Sequence, residues 1–108
     1  MRTASELTKK LLKSGEEFDA LFAISDRMAA GAMSAILECG KKIPEDVSVM
    51  GFDNVHLSYM VSPALSTVAQ PQAEMGEAAF DALLKRMSGK TYEKKILNHK
   101  LTIRKSTN

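Results

Sequence analysis

Apolar residues recur along the first half of the chain in two patterns, one typical of helices and one typical of buried strands. From Ala4 to Ser14 they recur at helical spacing, which predicts a helix. The segment Phe18–Ile24 is apolar almost throughout and predicts a buried strand. A second helix is expected from about Arg27 to Cys39, with the pair Ser25-Asp26 at its N-cap.

The second half of the chain continues the alternation. Val47–Phe52 predicts a second strand, and Asn54–Met60 predicts a short helical turn. Leu65–Gln70 is either a third strand or an extended linker. A long helix is expected from Pro71 to about Met87, because proline is favoured in the first turn and apolar residues recur four apart. The last predicted strand is about Ile96 to Arg104.

This order of elements predicts an α/β fold. Near-continuous apolar strands separated by helices are typical of a parallel sheet with right-handed crossovers and helices on its faces. Two or three parallel strands are few for a self-sufficient domain, and no predicted strand precedes the first helix. We therefore expect the chain to be part of a larger core or to pair with another copy.

The predicted helix from Arg27 to Cys39 is apolar over most of its circumference. Its polar side chains, Arg27, Ser34 and Glu38, lie along one narrow strip. A helix of this kind is usually covered on two sides. The pattern leaves two explanations open, a subunit interface or burial by the rest of the same chain.

Two aspartates mark a candidate ligand site. Asp26 and Asp53 each follow a predicted parallel strand, and ligands of open α/β sheets bind outside the carboxyl ends of the strands. Capping is the alternative function for both residues. For Asp26 the pattern favours a helix cap, whereas for Asp53 a cap on the Asn54–Met60 turn and ligand contact are equally supported.

Composition narrows the function classes. The 108 residues carry a formal net charge of +2, with Lys and Arg scattered, which does not indicate a nucleic-acid surface. The single cysteine, Cys39, excludes an internal disulfide framework and is expected to be a small buried residue. The N-terminal stretch is polar and lacks signal-peptide character, and no apolar run approaches a membrane span. We expect a cytoplasmic protein without a membrane segment.

Other chemistry has little support in the sequence. His56 and His99 have no partner at metal-ligand spacing, and no phosphate-binding, dinucleotide-binding or nucleophile motif occurs. The sequence therefore predicts no metal, no cofactor and no enzyme activity. Among the aromatic residues, Phe22 and Phe52 are favoured as core residues, whereas Tyr59 is the best candidate for a pocket because it lies in the loop region.

Five segments in order give the chain a specific resemblance. They are AISDRMAAGAM, IPEDVSVMGFDN, SPALSTVAQP, MGEAAFDALLKRM and IRKST, and together they cover nearly everything from Phe18 onward. In this order and spacing they resemble the C-terminal part of lactose/galactose-repressor family regulators. The resemblance implies a periplasmic-binding-protein-like (type I) core, in which two α/β lobes surround an effector cleft and the chain crosses between the lobes three times.

The resemblance also implies roles for particular residues. Asp53 matches an aspartate that hydrogen-bonds the effector, and Ser25 matches a position, often asparagine, that faces the effector. With Asp26 and Gln70, which lies beside the hinge, they form the implied effector-binding set. A homodimer surface is also implied. Its residues are Met28, Ala32, Met33, Ile36, Leu37 and Tyr59.

The implied domain organisation places residues 1–70 in the C-terminal lobe of the core. Residues 71–108 would form a crossover helix and a strand that returns to complete the core. The helix-turn-helix that reads operator DNA in the family would precede the core and is absent from this chain. Contact with DNA would therefore belong to the intact regulator.

Three functions are weighed on this basis. The leading hypothesis is the effector-binding, dimerising portion of a bacterial transcriptional regulator, with a sugar or another small molecule as effector. A sugar-binding protein of a transport system is the second, and it would require a signal peptide. A small Asp-dependent phosphotransfer domain is the third, and it would require a third acidic residue and a lysine at the strand ends.

Overall fold

The computed structural model describes residues 2–108, so Met1, the first residue of the predicted lobe, lies outside the described part. The predicted order of helices and strands is confirmed. The elements are α1 (Arg2–Lys13), β1 (Ala20–Phe22), α2 (Asp26–Glu38), β2 (Ser48–Asp53), α3 (Leu57–Met60), β3 (Ser66–Ala69), α4 (Gln72–Met87) and β4 (Lys100–Thr102).

The strands form one sheet in the order β1-β2-β3-β4. β1 pairs with β2 in parallel, with Leu21 opposite Val49, and β2 pairs with β3 in parallel, with Asp53 opposite Ala69. The parallel α/β prediction is therefore confirmed. The segment that sequence left open as strand or linker is a strand, because its backbone completes the ladder along β2.

The core lies between α2 and β2. Ala29 and Ile36 of α2, Val49 of β2 and Leu65 are completely buried. Each large apolar side chain buried in this way stabilises the fold by about 1.5–3 kcal/mol. The core therefore secures α2 directly over β2, and this packing positions the N-terminus of α2 near the end of β2.

Both sides of α2 are covered by its own chain, since α1 and α3 also pack against it. On the surface, Lys9 Nζ of α1 lies 2.5 Å from Glu38 Oε2 of α2. The hydrogen bond and charge of Lys9 lower the pKa of Glu38. Burial by the rest of the chain thus explains much of the apolar surface of this helix.

Three of the six residues predicted for the dimer surface are buried in this packing. Ala32, Met33 and Ile36 are buried inside the chain, where they are used by the core. Met28, Leu37 and Tyr59 are exposed.

Two further expectations about burial are wrong. Phe22 was favoured as a core residue, but its side chain is 59% exposed because β1 is the edge strand of the sheet. Cys39 is exposed as well, since it lies just past the end of α2, at the C-cap, where the helix leaves the core. Phe52, in the inner strand β2, is half-buried.

The chain divides into two compact units. The first comprises the residues up to Ala69 together with Leu101–Asn108, and the second comprises Gln70–Lys100. The predicted division assigned residues 71–108 to one segment, whereas here the last eight residues, Leu101–Asn108, join the first unit. Within the second unit, none of the residues of α4 is buried. No helix in residues 2–108 is both long and apolar enough to cross a membrane.

Hydrogen bonds explain why Leu101–Asn108, the C-terminal tail, belongs to the first unit. Ser106 is completely buried, and its hydroxyl donates to the carbonyl oxygen of Val49 at 2.6 Å. The same hydroxyl oxygen accepts from the backbone N–H of Ser66 at 2.8 Å. The tail therefore links β2 to β3 through buried polar contacts, which are costly to break.

Candidate functional site

The candidate site is built around a tight turn at the carboxyl end of β2. Asp53 is the last residue of the strand and has a φ of +105°, and Asn54 follows with a φ of +57°. Positive φ is uncommon outside glycine, and aspartate and asparagine tolerate it best. Two such residues in succession are a costly backbone conformation, which the surrounding contacts must hold.

Asp26 holds this turn from the neighbouring helix. Its Oδ2 accepts a hydrogen bond from the Val55 N–H at 2.8 Å, and its Oδ1 accepts one from the Thr67 hydroxyl at 2.5 Å. The Thr67 oxygen in turn accepts from the Asn54 N–H at 3.3 Å. The carboxylate is 1% exposed, and such a group is stable in the interior when its oxygens are hydrogen-bonded.

These contacts give Asp26 a different role from direct effector contact. Both oxygens are used within the protein, and the side chain has no exposed surface to offer a ligand. We therefore assign Asp26 to positioning: it fixes the backbone that presents Asp53.

Gly51 allows the Asp26 carboxylate to lie close to the backbone of β2. A Cβ atom at this position would overlap Asp26 Oδ1 and would lie 2.9 Å from Leu65 Cδ2. An isolated glycine within a strand pattern is a known sign of such a close approach. This signal was present in the sequence and identifies Gly51 as part of the support for the site.

The capping predictions are corrected by the structure. Ser25, not Asp26, is the N-cap of α2, and its hydroxyl oxygen accepts from the Met28 N–H at 3.2 Å. Asp26 is instead the first residue of the helix. Asp53 does not cap α3, because that helix begins at Leu57 after His56 and has no side-chain cap. Ser25 and Asp53 follow adjacent parallel strands. Both therefore lie at the end of the sheet formed by the carboxyl ends of its strands.

Gln70, the remaining predicted site residue, directly follows β3. Ala69, immediately before it, is opposite Asp53 in the ladder. Gln70 is half-buried and is the first residue of the second unit.

Arg104 was not identified from the sequence. It lies in the C-terminal tail, and its Nη2 donates to Asn54 Oδ1 at 2.7 Å. Its Nη1 donates to Ser58 Oγ at 2.9 Å and to the carbonyl oxygen of Leu65 at 2.8 Å. No local pattern distinguishes this arginine from the other cations of the chain, because its partners are distant in sequence.

A separate apolar groove is lined mainly by α2 and α3, with Ser5 of α1 at its border. Its volume is about 470 Å³. The lining residues are Ser5, Ala30, Gly31, Met33, Ser34, Leu37, Leu57, Val61 and Ser62. Leu37, one of the predicted dimer residues that remain exposed, is among them. Within residues 2–108, no group of three or more His, Cys, Asp and Glu side chains is arranged to hold a metal ion.

Comparison with known proteins identifies the family. The periplasmic binding protein-like domain family matches residues 2–107. The chain therefore belongs to this family.

Among curated relatives, the transcriptional repressor PurR of Vibrio atlanticus (strain LGP32) is 40% identical over 106 residues, which cover 97% of this chain and 32% of the repressor. PurR of Histophilus somni (strain 129Pt) is 43% identical over 103 residues, covering 94% of this chain and 31% of the repressor. The chain thus spans about a third of the length of these relatives.

Solved structures agree. A LacI family regulator from Arthrobacter sp. FB24 in complex with lactose superimposes with a TM-score of 0.89 at 36% identity, covering 99% of this chain and 42% of that chain. A lac repressor dimer bound to operator and the anti-inducer ONPF gives a TM-score of 0.90 at 32% identity, covering 96% and 37%. The resemblance to lactose/galactose-repressor regulators is confirmed.

Proposed function

We propose that this chain is the effector-binding and dimerising part of a bacterial transcriptional regulator of the lactose/galactose-repressor type. Asp53 accepts hydrogen bonds from the effector, Ser25 and Gln70 contribute further polar contacts, and Asp26 positions the turn. The effector is a sugar or another small polar molecule such as a nucleobase. The protein acts in the cytoplasm, without a cofactor and without catalysing a reaction.

The observation that supports this proposal most strongly is the geometry of the Asp53 turn. A positive φ at two successive non-glycine residues is costly, and here a buried carboxylate is used to maintain it. In the proposal, the Asp53 carboxylate serves the ligand at the carboxyl ends of the parallel strands, where ligands of such sheets bind. An ionised aspartate suits a polyhydroxyl or amine-bearing ligand because it accepts from two neighbouring donors at once.

In a regulator that contains this chain, bound effector would bias two arrangements of the core and thereby change operator affinity. DNA contact would require a helix-turn-helix elsewhere in that regulator. The lac repressor that resembles this chain is described as bound to operator, which supports separate parts of the regulator for effector binding and for DNA contact.

The alternatives fit less well. A phosphotransfer domain would need both aspartates free to hold a cation, but both oxygens of Asp26 are hydrogen-bonded to Val55 and Thr67. A transport-type sugar-binding protein shares the fold, but the named relatives are repressors.

The dimeric part of the proposal rests on the apolar groove of α2 and α3. We propose a second copy of the chain as its occupant. The groove is apolar and includes the exposed Leu37, and the lac repressor that superimposes on this chain is described as a dimer. Tyr59, exposed on α3, would flank the contact, whereas Met28 lines a different depression beside Leu7 and Phe22.

The Asp53→Asn substitution tests the effector site. The ¹⁵N-labelled chain is titrated with lactose, ribose, adenine and guanine as probes, and amide shifts are followed. A binding probe is expected to shift the amides of Ser25 and of the Asp53–Val55 turn. Asp53→Asn should weaken its affinity about tenfold or more, because a hydrogen bond to a charged group is worth about 1.5–3 kcal/mol.

Asp19→Asn is the matched control. It removes the same charge just before β1, at the amino ends of the parallel strands. The affinity for the probe should therefore be unchanged. Equal affinity of Asp53→Asn and wild type would contradict the proposal. In a regulator that contains this chain, Asp53→Asn should reduce the effector response while operator binding without effector persists.

A further inference from the structure

Arg104 joins the Asp53 turn to α3, alongside the direct hydrogen bonds that Ser58 of α3 makes to Asn54 and Val55. Its guanidinium donates to Asn54 within the turn, to Ser58 within α3 and to the carbonyl oxygen of Leu65 before β3. The Tyr59 ring of α3 also lies beneath the guanidinium, 5.6 Å from ring centroid to Cζ. Three nearby segments, each 39 to 50 residues from Arg104 in sequence, therefore meet at one planar group.

These partners depend on the fork of arginine. Nη1 and Nη2 bind Ser58 and Asn54 at the same time, which a lysine ammonium on a single stem cannot reproduce in this geometry. Ser58 is completely buried, and its hydroxyl donates to the Val55 carbonyl oxygen at 2.7 Å. Loss of the guanidinium would leave a buried hydroxyl oxygen and a carbonyl oxygen without their charged donor.

The turn is thus held from two directions. Asp26 binds the N–H of Val55 from the α2 side, and Arg104 binds the side chain of Asn54 from the tail. The tail is itself anchored, since the Arg104 N–H donates to Ser66 Oγ at 2.8 Å. Arg104 therefore connects the turn to a tail that is itself hydrogen-bonded to β3.

The residues of α3 that Arg104 contacts are next to residues that line the apolar groove. Leu57 of α3 and Val61 just after it line the groove, and Ser58 and Tyr59, the contacts of Arg104, lie between them. We propose that Arg104 is a positioning residue that fixes the Asp53–Val55 turn and couples it to α3, so that ligand contact at Asp53 alters the groove. The coupling rests on the proposed effector site, whereas the fixing of the turn is independent of it.

The first experiment measures amide hydrogen exchange of the chain without ligand. Arg104→Met is compared with Lys105→Met, which removes the same charge from an exposed neighbouring side chain. In Arg104→Met, exchange at the Val55 and Ser58 amides should rise about tenfold or more, while the core amide of Val49 changes little. Equal exchange at Val55 and Ser58 in both variants would overturn the proposal.

Arg104→Lys keeps the inference testable if Arg104→Met does not fold. It retains the charge and one hydrogen bond but not the bridge between Asn54 and Ser58. Faster exchange at Val55 and Ser58 is again expected. Wild-type exchange in Arg104→Lys would mean that charge alone suffices, and the positioning role would be rejected.

The second experiment tests the coupling. A probe that binds wild type, such as lactose or guanine, should shift the amides of Leu57 and Val61 as well as those of the turn. In Arg104→Lys the turn amides should still shift, but those of Leu57 and Val61 should shift less than half as far. Undiminished shifts at the groove would refute the coupling. If no probe binds wild type, the proposed effector site fails, and the ligand-free exchange rates alone decide the positioning role.

Discussion

At the scale of residues, Asp26 and Asp53 are two aspartates in similar positions but in different environments. Both follow parallel strands, and both are candidate ligand contacts by position. Burial separates them: Asp26 is 1% exposed, whereas Asp53 is half-buried at the strand end. Their different environments assign one to support and leave the other as the proposed contact.

Gly51 provides a residue-scale prediction. Gly51→Ala should destabilise the chain by about 1–3 kcal/mol, because the added methyl group would overlap Asp26 and crowd Leu65. Urea unfolding, followed by far-UV circular dichroism, measures the loss. The same change should weaken the hold of Asp26 on the turn and speed exchange at the Val55 amide.

Gly76→Ala is the control for this prediction. A Cβ at Gly76 would meet nothing within 4 Å, and alanine favours a helix over glycine by about 0.5–1 kcal/mol. Gly76→Ala should therefore cause no loss of stability. Comparable midpoints for Gly51→Ala and wild type would show that the strand can shift away from Asp26.

At the scale of elements, the start of α2 combines a structural and a proposed functional role. Ser25→Ala should lower the free energy of unfolding by about 1 kcal/mol, because the Met28 N–H loses its side-chain acceptor. Ser25→Asn should restore stability, since asparagine is an equally good cap. Thermal unfolding of both variants measures this difference.

The same pair separates capping from ligand contact. Ser25→Asn retains a polar side chain at the site, so a change in probe affinity at unchanged stability would identify a contact role. If Ser25→Ala is as stable as wild type, the cap observed here does not contribute to stability.

Most elements were predictable because their determinants are local. Helices α2 and α4 begin and end within a residue of expectation, since caps, proline and apolar spacing act over a few residues. The outer strands were overestimated. Phe18–Ile24 became Ala20–Phe22, and Ile96–Arg104 became Lys100–Thr102. A strand extends only as far as its neighbour offers pairing groups, which an apolar pattern does not specify.

At the scale of the whole molecule, the chain exposes apolar surface in both units. The long helix α4 exposes a set of large apolar side chains, and the groove of α2 and α3 is open. The α4 set is Met75, Phe80, Leu83, Leu84 and Met87. Exposed surfaces of this kind promote self-association, so we expect the chain to form dimers or larger assemblies in solution.

The route of association is testable by substitution. Leu37→Glu should weaken self-association about tenfold or more, because a carboxylate would be buried in the apolar groove. Met87→Glu introduces the same charge on α4 and should have a smaller effect. Sedimentation equilibrium over a range of concentrations measures both. A larger effect of Met87→Glu would assign the contact to α4, and a monomeric wild type would contradict both routes.

The sequence by itself determined the order of elements, the parallel α/β class, the family and the position of Asp53 at a strand end. Each of these depends on local periodicity, on turn chemistry or on motifs that are contiguous in the chain. Only the tertiary structure decided that Asp26 is buried support, that most apolar side chains of α2 are buried within its own chain, and that Arg104 reaches Asn54 and Ser58. Burial and hydrogen bonding between residues 29 to 50 positions apart depend on how helices pack on the sheet, and no local pattern encodes that packing.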